Sequence, residues 1–152
     1  MTELMDEYNT LMKKFGLPEY SKLQSEFSIS KIDEEPILLD IISKIDDRIE
    51  FLLKTLNRIL QPDTVIADMH ESSTFTEDEK KEIFELYKKL MIMHDDAVIL
   101  MIESDEKAES RFIQETMKDW PDLKSSVAVI VRKMRDSWKQ DVDLKEDIGY
   151  MG

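Results

Sequence analysis

Residues 37–62, ILLDIISKIDDRIEFLLKTLNRILQP, decide the fold. Leu38, Ile42, Ile45, Ile49, Leu52, Leu56 and Ile59 alternate at spacings of four and three, an a/d seam sustained over three heptads. Ile41, Leu53 and Leu60 widen the seam into the broad apolar stripe of a helix that faces a core. Asp33 offers an N-cap, Glu34 and Glu35 place acids in the first turn, and Pro36 suits an early helical position. Gln61-Pro62 ends the run, because proline has no N–H to continue the ladder. At 1.5 Å per residue, residues 34–60 span about 40 Å.

Working outward, Thr76-Glu77-Asp78-Glu79 matches a capping box, in which hydroxyl and carboxylate satisfy each other's backbone amides. Ile83, Leu86, Tyr87, Leu90, Met93, Ala97, Leu100 and Met101 then mark one side of a long helix. Ser104-Asp105-Glu106 predicts a break, and Phe112, Ile113, Met117 and Trp120 form the stripe that follows. Asp119 and Pro121 predict a further boundary before a last helix carrying Leu123, Val127, Ile130, Val131, Met134 and Trp138. Between the two long helices, residues 63–74 read as a connector with one helical turn around Val65, Ile66 and Met69. Upstream, Leu4, Met5, Tyr8, Leu11, Met12 and Phe15 predict an amphipathic helix ended by Gly16 and Pro18. Tyr20, Leu23 and Phe27 suggest a short second helix.

The sum is an all-α fold: an antiparallel helical bundle of four to six helices, with a long central helical hairpin joined near Pro62. Residues 1–139 are expected to form a single helical domain and residues 140–152 an acidic, flexible tail. Composition agrees. Three glycines and four prolines in 152 residues are too few for a barrel or sandwich of many short strands. No two glycines fall in a phosphate-cradling spacing. The lack of cysteine excludes disulfides, thiolate metal sites and cysteine nucleophiles.

Acidic residues outnumber basic ones 34 to 21, for a net charge of −13. Such a surface repels nucleic acids and anionic membranes, so direct nucleic-acid binding is not expected. No apolar stretch approaches the roughly 20 residues needed to span a bilayer. With an acidic opening, MTELMDEY, in place of a secretory signal, the chain is expected in the cytoplasm. The charge is uneven. In residues 122–139, Lys124, Arg132, Lys133, Arg135 and Lys139 outnumber Asp122 and Asp136, giving a basic helix on an acidic protein.

Constellations for catalysis are sparse. His94-Asp95 with His70 and a distal Asp141, Asp143 or Asp147 would be the parts of an HD-type phosphohydrolase. A di-iron bundle needs Glu-x-x-His motifs, and Ala67 and Met91 stand where the glutamates would be. Glu82-x-x-Glu85 and Glu103-x-x-Glu106 have roughly the spacing of a magnesium-holding all-α nucleotide pyrophosphohydrolase, although that pattern ends in aspartate. The glutamates are expected to be solvated charge and His94 a partly buried or surface side chain, with no metal and no cofactor assigned. The function expected is therefore that of a non-enzymatic helical protein–protein interaction module or adaptor, with another protein as partner. Arg132, Arg135 and Trp138 are the candidate partner-binding residues. Methionines on the helical stripes, such as Met91, Met93, Met101 and Met134, are expected to fill irregular gaps in the core, the alternative being an adaptable groove for a partner's helix. A metal-dependent phosphohydrolase or nucleotide pyrophosphohydrolase is the alternative, and an acidic nucleic-acid mimic a further one. The 38–59 seam could also build a homodimer, but packing against residues 83–101 within the chain uses the same positions.

Overall fold

Every position of the 38–59 seam is buried in the computed structural model, as are Ile41 and Leu53 beside it. Residues 2–29, 31–33 and 35–140 are described; residues 141–152, where most of the acidic tail was expected, lie outside them. The chain forms α1 (Thr2–Phe15), α2 (Tyr20–Phe27), α3 (Ile37–Leu60), α4 (Ile66–Ser73), α5 (Glu77–Glu103) and α6 (Glu106–Ser137). No strand occurs among the described residues. The protein is an all-α antiparallel bundle with α3 and α5 as its long hairpin.

Two compact units divide the described residues, one within residues 2–50 and 92–122, the other within residues 51–91 and 123–140. In the first, α1 and α2 pack with the N-terminal half of α3 and with residues 92–122 of α5 and α6. Tyr8, Leu23, Phe27, Ile41, Ile42, Ile45, Ile49, Ala97 and Ile113 are its fully buried centre. Burying a Leu, Ile or Phe side chain contributes about 1.5–3 kcal/mol each, so this cluster dominates the unit's stability. In the second, Leu56, Ile59, Phe75, Ile83, Leu90, Leu123, Val127 and Met134 play that part.

Local chemistry sets the element ends. Gly16 adopts φ +69°, and the Leu17 amide reaches back to Met12 O at 3.1 Å, closing α1 with a left-handed C′ residue. Gln114 caps the same end by donating to the carbonyls of Phe15 and Gly16. The capping box forms as expected: Thr76 N donates to Glu79 Oε1 at 2.9 Å, and Glu79 N to Thr76 Oγ1 at 3.1 Å. The break expected at Ser104 is present, where φ is +48°. Asp105 Oδ1 then receives the Lys107 amide at the start of α6.

Three expectations are corrected. Asp33 does not cap α3; Pro36 O accepts the Asp40 amide as the helix begins, and Asp40 Oδ2 turns back to accept the Asp33 amide at 2.9 Å and the Lys44 ammonium at 2.7 Å. The connector holds a full eight-residue helix, α4, in place of one turn. Its Ser72 hydroxyl donates to Ile59 O at 2.7 Å, satisfying one of the carbonyls that α3 leaves open at its C-terminus. Finally, α6 runs through Pro121 without the expected boundary. The missing amide loosens one turn, but Trp120 and Leu123 on either side are buried, and the exposed proline ring meets no core.

Candidate functional site

The basic half of α6 lies in the second unit. Arg132, Arg135 and Trp138 follow one another at steps of three, so they form a ridge winding along one side of the helix end. Arg132 is exposed and makes no ion pair among the described residues. Arg135 is exposed and donates through Nε to Asp136 Oδ1 at 3.0 Å, which together with Lys139 holds the Asp136 carboxyl below its ordinary range. Trp138 is 42% exposed, but not idle. Its Nε1 donates to Glu71 Oε2 at 3.0 Å, and its ring packs on His70 with centroids 4.1 Å apart.

His70 is buried in α4 and its Nε2 lies 3.0 Å from Ser137 Oγ. Ser137 Oγ itself donates to Met134 O, so Nε2 carries the proton and donates to the hydroxyl. This histidine therefore pins α4 to the end of α6.

Beside this joint is a groove of about 270 Å³ between α3, α4 and α6. Val127 and Met134 are its buried floor, Phe51 and Val131 its exposed apolar lip, and Arg58 and Arg135 its charged rim. Phe51 is 62% exposed although it belongs to the helix that carries the seam. Arg58 is oriented by Glu71 at 2.6 Å and by Asp68 at 3.8 Å. Across the same unit, Lys133 pairs with Glu79 and lies 5.1 Å from the Phe75 ring centroid, and its ammonium holds the Glu79 carboxyl low.

The glutamates of the pyrophosphohydrolase reading are all exposed. Glu82 and Glu85 border an open depression of about 900 Å³ with Lys80 and Lys81, and Glu85 pairs with Lys88 at 3.0 Å. Glu103 and Glu106 flank the break at Ser104. Neither pair turns toward a core.

His94, in the first unit, is partly buried. Its Nδ1 donates to Asp46 Oδ1 at 2.8 Å and lies 3.9 Å from Glu50 Oε1, both on α3. Asp46 is only 6% exposed, and burial raises its carboxyl against the lowering effect of His94. The hydrogen bond to Asp46 raises His94 above its ordinary value, against a smaller desolvation effect. One ligand atom from each of these three residues lies within 4.8 Å of the other two, the spacing of a metal-holding group. The sequence contained half of this signal. Asp46 and Glu50 are four apart and share a face of α3, but only folding shows that His94 stands opposite them.

No family model, no curated protein and no solved structure matches this chain. No helix among the described residues is long and apolar enough to cross a membrane.

Proposed function

We propose that the protein is a non-enzymatic, cytoplasmic interaction module that binds an amphipathic helix of another protein, apolar on one face and acidic beside it. The observation that supports this reading is the groove between α3, α4 and α6, where exposed Phe51 and Val131 stand over a buried apolar floor between two arginines. An apolar anchor from a partner would seat against Phe51, Val131 and Met134, as in helix-in-groove recognition. Carboxylates flanking that anchor would meet Arg132 and Arg135, the basic ridge of an otherwise acidic protein. The apolar contact would supply affinity, and the arginines orientation and association rate.

The test is affinity capture from native lysate at low and moderate salt, comparing the wild type with Phe51→Glu and with the double variant Arg132→Glu, Arg135→Glu. All three changes are at exposed positions, and circular dichroism would confirm that the variants fold. A partner held by the wild type at both salt levels, lost from Phe51→Glu and made salt-sensitive by the arginine changes, supports the reading. The same proteins captured by all forms would overturn it.

A further inference from the structure

We infer that Asp46, Glu50 and His94 form a binding site for a divalent transition-metal ion. The three donors come from two helices of one compact unit: two carboxylates four residues apart on α3 and an imidazole on α5. Their nitrogen and oxygen atoms already converge, Nδ1 lying 2.8 Å from Asp46 Oδ1 and 3.9 Å from Glu50 Oε1. An ion about 2.0–2.2 Å from each donor requires donor atoms roughly 3.0–3.5 Å apart. The Asp46–His94 pair needs to open slightly, and Glu50 to swing inward. Glu50 can do so, because nearly half of its side chain is in solvent.

The electrostatics favour a cation. Asp46 is a carboxylate more than nine-tenths buried, and its hydrogen-bonding side-chain partner is an imidazole rather than a lysine or arginine. No lysine or arginine pairs with Asp46 or Glu50 among the described residues, and Asp47 and Asp95 add further negative charge nearby. A dication replacing the proton on His94 Nδ1 would answer two carboxylates at once, which one imidazole cannot do. The donor set also selects the ion. An imidazole nitrogen with two carboxylate oxygens suits zinc, cobalt or manganese, whereas magnesium and calcium prefer all-oxygen shells. With three protein ligands, and His94 and Glu50 partly exposed, solvent would fill the remaining coordination positions.

The experiment is a calorimetric titration of the full chain, first stripped with chelator, with zinc chloride, and in parallel with cobalt chloride to read the visible absorption of the ligand field. Magnesium chloride serves as the control. The expected result is one equivalent of zinc bound, magnesium not competing at tenfold excess, and affinity at least tenfold weaker in both His94→Gln and Glu50→Gln. Glu50→Gln changes a half-exposed side chain and keeps the test independent of any folding defect caused by altering His94 or Asp46. Zinc affinity unchanged in Glu50→Gln and His94→Gln, or no zinc binding below millimolar concentration, would overturn the inference.

Discussion

Trp138 lays its indole against the buried imidazole of His70, with ring centroids 4.1 Å apart and planes at 45°. The contact gives a half-exposed residue just beyond the end of α6 a structural task. It closes α4 over the second unit's core, with the Trp138–Glu71 and His70–Ser137 hydrogen bonds on either side. The residue most suggestive of a docking surface is thus also part of the scaffold on which the neighbouring groove is built.

Trp138→Ala is therefore expected to destabilise the protein by about 2 kcal/mol, since an aromatic pair contributes about 0.5–1.5 kcal/mol beyond its burial and the bond to Glu71 is lost as well. Arg132→Ala, at an exposed position with no ion pair among the described residues, should stay within about 0.5 kcal/mol of wild type. Urea denaturation of both variants would check this. Equal stabilities would show that the indole does not hold α4.

Ser72→Ala is expected to lower stability by about 1–2 kcal/mol, although the side chain is small. Its buried hydroxyl donates to Ile59 O at 2.7 Å, and losing it leaves a polar group at the α3 terminus short of a partner. Ser73→Ala provides the comparison, because Ser73 is exposed and its hydroxyl bonds within its own turn, to His70 O. A loss in Ser73→Ala as large as in Ser72→Ala would contradict the assignment.

Pro121→Ala is expected to stabilise the chain. Proline within a helix is about 3 kcal/mol less favourable than alanine, and the Pro121 ring is exposed, so little packing is lost. A gain of about 1 kcal/mol or more in chemical denaturation is the expected outcome. No gain would mean that the surrounding turn depends on the proline's restricted backbone.

Glu109 provides a pH signature. It is buried near the start of α6, and burial raises its carboxyl above the ordinary 4.5 despite hydrogen bonds from the Asp105 amide and Ser104 hydroxyl. A raised value means that the folded state holds this proton more tightly than the unfolded state. The ionised group therefore subtracts stability as pH rises above about 4.5, and none below it. Glu109→Gln should be more stable than wild type at pH 7, with the difference narrowing as pH falls toward 4. Melting curves across that range would show it; a constant difference would refute the titration of Glu109 as its cause.

The features legible in the sequence are those written in near neighbours. The 38–59 seam, the Gly16 stop, the Thr76–Glu79 box and the Ser104 break each depend on residues within a few turns of one another, where helix geometry fixes who meets whom. The start of α3 is less legible because Asp33 has two suitors, a helix terminus and the Asp40–Lys44 pair, and spacing does not rank them. At Pro121 local propensity opposes a helix and predicts a boundary, while burial of Trp120 and Leu123 favours a continuous helix.

By itself, then, the sequence determined an all-α bundle, the faces of its long helices and most of their ends, because hydrophobic periodicity and capping are short-range properties. Tertiary structure alone decided that His94 meets Asp46 and Glu50, that Ser72 serves Ile59, and that Trp138 packs on His70 while Phe51 is left in solvent. Those pairings join residues far apart in the chain, and an amphipathic pattern specifies which face is buried without specifying what it is buried against.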